Sequence, residues 1–167
     1  MEHYDVSYVG TQLKKKLYDT DPEVIRGYFP YEHVRDEMFS LFGNLFSFKI
    51  KPTNFRLWHK DVLSYEVSDE NGLIGYFAMD MFPREGKYGH AAMFDVLVPH
   101  EESYKSEKYV APFSSMVCNF TTPSKKAPSL LSLGEVETLF HEFGHCLHMT
   151  LSKARLSAII LACSLRL

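Results

Sequence analysis

The sequence SLGEVETLFHEFGHCLHMTL, residues 132–151, carries the strongest secondary-structure signal in the chain. Ser132 and Glu135 have the spacing of a capping box, in which each side chain accepts a hydrogen bond from the other residue's backbone N–H at the start of a helix. Apolar residues then recur at intervals of three and four along one stripe: Val136, Phe140, Phe143, Leu147 and Leu151. The stretch therefore predicts an amphipathic helix that buries this stripe.

Within this helix, His141, Glu142 and His145 form the pattern HExxH. Residues four apart on a helix lie one above the other, with Cβ atoms about 5–6 Å apart, so two imidazoles can converge on one zinc ion. Glu142 points about 100° round the helix axis, where it can act as a base towards a metal-activated water. The pattern predicts a hydrolytic metal site. The alternative is two ordinary histidines on an amphipathic helix.

The rest of the chain predicts an α+β fold that is mostly helical. Helices are indicated in residues 1–50: one over 6–17, one from Asp21 to near Phe29, and one from Tyr31. Residues 53–120 predict a small, mainly antiparallel sheet. Its expected parts are a hairpin over 63–82, strands at 94–98 and 115–120, and a polar loop at 99–108. The metal-binding helix is assigned to 132–152, and residues 156–167 form an atypical tail.

The composition is that of a folded chain, because 46 % of its 167 residues are hydrophobic and 23 % are charged. Lysine and arginine total 18 against 21 aspartates and glutamates, so no basic footprint for nucleic acid is indicated. No apolar run approaches the roughly 20 residues that span a bilayer. Three cysteines without a CxxC pair favour a reducing compartment. We expect a cytoplasmic protein without nucleic-acid or membrane partners; a mitochondrial or other organellar location is the alternative.

The segment from Phe140 to His145, followed by His148, resembles the motif of the thimet oligopeptidase and oligopeptidase A family of zinc metallopeptidases. Other blocks of the chain are similar to that family in the same order. They are Tyr28-Phe29-Pro30, Tyr76-Phe77, Asp80, residues 83–92, Asn119-Phe120-Thr121, Pro123, residues 128–131 and residues 135–138. The likeness runs from about residue 5 to about residue 155. It covers nearly the whole chain.

This resemblance implies a zincin-like catalytic core and a metalloendopeptidase that cuts short peptides in a channel between two mostly helical lobes. It also implies that His141 and His145 bind one zinc ion and that Glu142 is the general base. The resemblance places the segment 75–92 along the substrate cleft. The substrate-cleft candidates are Gly75, Tyr76, Gly86, Tyr88, Gly89 and His90, for which packing in the sheet is an equal alternative. His148 is expected to support the site from outside the coordination sphere, or to pack, rather than to bind zinc.

The sequence also departs from the family. The family's third zinc ligand is a glutamate about 25 residues beyond the second histidine. Here 167 minus 145 leaves 22 residues, and none is Asp or Glu. We therefore expect residues 1–167 to be part of a metallopeptidase catalytic domain, a central fragment of a truncated or frame-shifted product, that binds zinc weakly and hydrolyses little. The alternative is an inactive fragment or pseudoenzyme that binds peptides or a partner and self-associates through exposed core.

Overall fold

The computed structural model describes residues 5–18, 21–98, 100–103 and 106–152. These residues form four helices and seven strands. In chain order they are α1 (Asp5–Tyr18), α2 (Pro22–Arg26), α3 (Tyr31–Phe46), β1 (Lys49–Thr53), β2 (Leu63–Asp69), β3 (Gly72–Asp80), β4 (Ala92–Leu97), β5 (His100–Ser103), β6 (Ser106–Val110), β7 (Phe113–Val117) and α4 (Leu133–Leu151). The α+β class is confirmed. The predicted tail at 156–167 lies outside the described residues.

Five strands form one mixed sheet in the order β1-β2-β3-β7-β4. The central pair, β3 and β7, is parallel, and the other neighbours are antiparallel. β5 and β6 form a separate two-stranded sheet between β4 and β7 in sequence. The carboxyl ends of β3 and β7 therefore lie side by side, at Asp80 and Val117.

The core lies where α3 and α4 pack against this sheet. The ring of Phe77 in β3 has its centroid 5.8 Å from that of Phe39 in α3 and 5.5 Å from that of Phe143 in α4. Met79 and Met116, which are partners in β3 and β7, are both fully buried in the same cluster. The sheet thus fixes the position of α4 through side chains on one face.

Three features of the strands differ from the sequence-based prediction. β1 includes Pro52, and it is tolerated because β1 is an edge strand, where a missing backbone N–H removes no hydrogen bond within the sheet. The segment predicted as a polar loop at 99–108 contains β5 and part of β6. The parallel pairing of β3 with β7 was also not predicted, because it joins strands that are distant in sequence.

The predicted start of α4 is confirmed. Ser132 Oγ accepts a hydrogen bond from the Glu135 backbone N–H at 3.3 Å, and Glu135 Oε2 accepts one from the Ser132 N–H at 2.8 Å. The same Glu135 oxygen accepts a hydrogen bond from Arg26 Nη2 at 3.0 Å. Burial raises the pKa of Glu135, but these bonds outweigh it and hold the pKa below its usual range. One carboxylate therefore caps α4 and ties it to α2.

We expect Ser132→Ala to lower the free energy of unfolding by about 1 kcal/mol, because it removes the cap of α4. Ser47→Ala is the matched control, since Ser47 is exposed at the end of α3 and its backbone N–H, which alanine keeps, makes the cap bond to the Gly43 carbonyl. Urea denaturation of both variants measures the difference. Equal midpoints for Ser132→Ala and the unmodified chain would contradict the role of the cap.

The buried face of α4 is broader than the predicted stripe, and its centre is rotated round the helix axis away from the centre of that stripe. Phe143 and Leu147 are buried as predicted, whereas the other three residues of the stripe are half-buried. The remaining buried side chains of the helix are Leu139, Glu142, Cys146, Met149 and Thr150. Phe140 and Leu151, at the outer edge of the stripe, line a cavity.

Among the described residues, no helix combines the length and apolar character needed to cross a membrane.

Candidate metal and peptide site

His141 and His145 converge on one point at the surface of α4. Their Nε2 atoms are 3.1 Å apart, and their ring centroids are 4.8 Å apart with the rings nearly perpendicular at 82°. Two nitrogens bound tetrahedrally to zinc at about 2.0–2.1 Å would be about 3.3 Å apart. The distance also suits an N–H···N hydrogen bond between opposite tautomers. The two imidazoles thus have the spacing that a shared metal ion requires.

The two imidazoles border a cavity of about 670 Å³ between α3 and α4. Its walls are largely apolar, and its lining residues are Phe42, Phe46, Phe140, His141, Gly144, His145, Leu147, His148, Leu151 and Ser152. The sequence predicted the helix that begins at Tyr31 but gave Phe42 no part in a site. Its place beside the histidines depends on how α3 packs on α4, which no local pattern predicts.

Glu142 is buried and does not line this cavity, although it lies between the two histidines in sequence. Its exposed fraction is 8 %. Burial, with the Glu142 carboxylate nearby, raises the pKa of the Cys118 thiol to about 12. Burial also raises the pKa of Cys146 to about 12, and both thiols are 0–1 % exposed. The imidazoles of the motif therefore border the cavity, whereas its carboxylate is buried outside it.

His148 lines the same cavity as the two candidate ligands. Asp95 of β4 lies near it: burial raises the pKa of Asp95, and the charge of His148 opposes that rise. Within the described part of the chain, Asp95 Oδ1 is buried without a hydrogen-bond partner. His148 thus lies in the cavity wall, near a buried carboxylate.

Four of the predicted cleft residues lie together in the loop between β3 and β4. Gly86 has a φ of +75°, which glycine adopts without strain, and it makes the turn of this loop. Tyr88 and His90 have ring centroids 5.7 Å apart, and Tyr88 packs edge-on against Phe94 of β4. Gly89 lies between them and is exposed. Among the residues that line the described cavity, none comes from this loop.

Gly75 and Tyr76 lie in the middle of β3. A Cβ on Gly75 would lie 2.7 Å from Pro112 Cγ and 3.1 Å from Thr150 Cγ2, so glycine allows the end of α4 to approach the sheet closely. Tyr76 packs its ring edge-on against Phe55, 5.1 Å away. Both positions have packing contacts that account for the residue present.

A buried cluster centred on Asp80 was not assigned a role from the sequence. The Asp80 carboxylate accepts two hydrogen bonds from Arg84 at 2.7 Å each and one from Trp58 Nε1 at 2.9 Å. The Lys87 ammonium lies 3.0 Å from Asp80 Oδ1. Burial raises the pKa of Asp80, but these partners together lower it to about 2. The available sequence signal was an acid, Asp80, at the end of an apolar strand. Two cations, Arg84 and Lys87, follow it four and seven residues later.

The fit of a metal ion to this donor set is partial. His141 and His145 offer two nitrogens that converge, and two is fewer than the three or four protein ligands of ordinary zinc sites. Within the described ranges, no group of three or more His, Cys, Asp or Glu side chains could hold a metal ion. The described residues therefore account for two ligands and leave further ligands to be supplied from elsewhere.

Comparison with known proteins gives consistent matches. The model of the family described as Peptidase family M3 matches residues 1–165. Thimet-like oligopeptidase of Dictyostelium discoideum is 36 % identical over 158 residues, which are 92 % of this chain and 23 % of the relative. Organellar oligopeptidase A of Arabidopsis thaliana is 37 % identical, over 92 % of this chain and 20 % of its own length. Oligopeptidase A of Escherichia coli is 32 % identical, over 95 % and 23 % respectively. The chain thus spans about a fifth to a quarter of the length of these relatives.

Proposed function

Because the chain belongs to peptidase family M3, we propose that it contributes the zinc-binding helix and general base of a metalloendopeptidase that hydrolyses short peptides. The observation that carries this proposal is the 3.1 Å separation of the His141 and His145 Nε2 atoms on α4. We further propose that the chain has a zincin-like core. In that core, residues 132–152 form the metal-binding helix beside the small sheet of residues 53–120.

The proposed mechanism assigns one task to each group. Bound zinc supplies a Lewis acid and lowers the pKa of a water molecule towards neutrality. His141 and His145 would hold that ion. Glu142 would accept the proton of the attacking water and pass it to the leaving amine. Its burial limits the directions in which its carboxylate can turn.

Short, extended peptides are the proposed substrates. β4 is the edge strand of the five-stranded sheet next to β7, and α4 packs against it. An edge strand presents backbone N–H and C=O groups to which an extended chain can pair. The relatives are named oligopeptidases, which agrees with this substrate class. Gly86, Tyr88, Gly89 and His90 remain proposed cleft residues, because their loop leads into β4.

A chimera provides the test of this function. Residues 5–152 would replace the aligned segment of Escherichia coli oligopeptidase A, so that the rest of an M3 peptidase surrounds this chain's own residues. Zinc content and cleavage of a quenched peptide are then measured. We expect an active enzyme in which Glu142→Gln retains zinc and lowers kcat by about 10²–10⁴-fold, the range for loss of a general base.

Glu137→Gln is the matched control, because Glu137 is an exposed glutamate on the same helix. It should leave kcat unchanged. Equal turnover in the unmodified chimera and its Glu142→Gln variant would exclude the proposed base. A folded chimera that lacks both zinc and activity would favour the second candidate function.

That second candidate is a non-catalytic fragment that binds peptides or a partner chain, including a second copy of itself. The apolar residues of α1 favour it, because they are exposed and have no packing role in the core cluster: Val6, Val9, Leu13 and Leu17. For location we propose the cytoplasm, supported by the absence of a CxxC pair; one relative is named a probable cytosolic oligopeptidase A and another an organellar one.

A further inference from the structure

Lys87 joins three backbone segments at the carboxyl ends of β3 and β7. Its Nζ donates hydrogen bonds to the carbonyl oxygens of Asp80 at 2.9 Å, Phe82 at 2.7 Å and Cys118 at 2.5 Å. Asp80 ends β3, Phe82 lies in the loop that follows, and Cys118 directly follows β7. The side chain of Lys87 is only 3 % exposed. Asp80 Oδ1 lies 3.0 Å from the same ammonium, so three carbonyl oxygens and one carboxylate oxygen surround its three N–H donors.

A buried ammonium is costly, so its retention here needs compensation. Burial lowers the pKa of Lys87, and the Asp80 carboxylate opposes that change. An apolar side chain of similar length would fill the same space without the cost of desolvation. The distinctive property of lysine at this position is therefore its ability to bind three carbonyl groups at once.

The segment 118–120 is held to the loop after β3 by further hydrogen bonds. The Cys118 N–H donates to the Asp80 carbonyl and the Phe120 N–H donates to the Met81 carbonyl, both at 2.9 Å. Asn119 Nδ2 donates to the Tyr88 carbonyl at 3.0 Å and lies 3.4 Å from that of His90. These bonds surround the Lys87 ammonium and make the strand ends and the loop one connected unit.

This connected unit belongs to the core that packs against the buried face of α4. The Cys118 carbonyl binds Lys87, while the Cys118 side chain lies in the same buried cluster as Leu139 and Cys146, which share one face of α4 with Glu142. Cys118 is fully buried, and protein interiors are closely packed. A shift of its backbone would therefore displace the side chains that pack around it. The position of Cys118 therefore limits the position of Glu142.

We propose that Lys87 is a positioning residue that holds the segment 118–120 in place against the face of α4 that carries Glu142, and thereby limits the direction of the proposed general base. Its effect on catalysis rests on the function proposed above, whereas its hold on the segment does not. Lys87 touches no substrate in this arrangement and acts through Cys118. Removing its donors should release the segment locally, without unfolding α4.

Alkylation of Cys118 in the 167-residue chain tests the hold directly. Cys146 serves as an internal reference, because burial raises the pKa of both thiols to about 12 and both are almost fully buried. Lys87→Met keeps most of the volume and removes the three donors. We expect iodoacetamide, with the modified peptides resolved by mass spectrometry in metal-free buffer, to label Cys118 at least tenfold faster in Lys87→Met and Cys146 at an unchanged rate.

Arg84→Met is the control. It removes two hydrogen bonds from the Asp80 carboxylate but none from the segment 118–120, so both thiols should keep their relative rates. The double variant Lys87→Met with Asp80→Asn restores the balance of buried charge without restoring the carbonyl contacts. It should therefore still label Cys118 preferentially. Parallel acceleration of Cys118 and Cys146, or no acceleration of either, would overturn the proposal.

Kinetics of the zinc-loaded chimera then separate this proposal from the proposed function. We expect Lys87→Met to lower kcat about tenfold or more, with KM and zinc content unchanged. An active chimera whose kcat is unaffected by Lys87→Met would overturn the positioning role. An inactive unmodified chimera would count against the proposed function alone, since Cys118 alkylation still decides whether Lys87 holds the segment.

Discussion

The 167-residue chain is expected to bind one zinc ion weakly through His141 and His145, and alanine at either position should abolish that binding. Each variant leaves one imidazole where two nitrogens stood 3.1 Å apart. Loss of a supporting partner outside the coordination sphere costs about 10–100-fold in metal affinity, so loss of one of two ligands should cost about 100-fold or more. Isothermal titration with zinc measures the change.

Two other histidines serve as comparisons for this prediction. His33 is exposed on α3, and His33→Ala should leave zinc affinity unchanged. His148→Ala should weaken binding by about tenfold at most, the lower part of the range for a supporting residue. A loss in His148→Ala as large as that in His141→Ala would make His148 a ligand. Retention of full affinity in the His141→Ala and His145→Ala variants would refute the site.

Phe143→Ala is expected to produce the largest loss of stability, about 3–5 kcal/mol, because it leaves a cavity between α4 and the sheet. The Phe143 ring is fully buried and contacts three other rings: Phe39 at 5.6 Å, Phe42 at 5.4 Å and Phe77 at 5.5 Å. Such a loss is a large fraction of the 5–15 kcal/mol that typically stabilises a domain. Urea denaturation followed by circular dichroism measures it.

Phe46→Ala is the matched control, since the Phe46 ring is half exposed at the end of α3. It should cost clearly less than Phe143→Ala. Phe143→Leu, which keeps an apolar side chain at the position, should also retain more stability than alanine. If the exposed and buried variants lost the same amount, Phe143 would not anchor the helix.

Local patterns in the sequence were sufficient to predict α4. The capping box at Ser132 and Glu135 depends only on neighbours along one helix, and it has the expected geometry. The β2–β3 hairpin was predicted for the same reason, because the turn after Asp69 lies between two alternating strands. These elements are determined by contacts between residues close together in the chain.

Elements that depend on distant contacts were not predicted. The apolar wall that Phe42 and Phe46 provide beside the histidines requires the packing of α3 on α4. Lys87 was not given a role, because its three carbonyl partners come from segments up to 31 residues away. The sequence alone also cannot show that Glu142 is buried outside the cavity that His141 and His145 line. Such features arise from tertiary packing and have no local period.

The parallel pairing of β3 with β7 also affects the order in which the parts of the site fold. The chain between them, residues 81–112, must be made and looped out before the sheet is complete, and α4 leaves the ribosome only afterwards. Topologies that rely on such long-range closures fold slowly. During that delay the newly made helix carries an unattached apolar face, which makes the nascent chain prone to aggregation and dependent on chaperones.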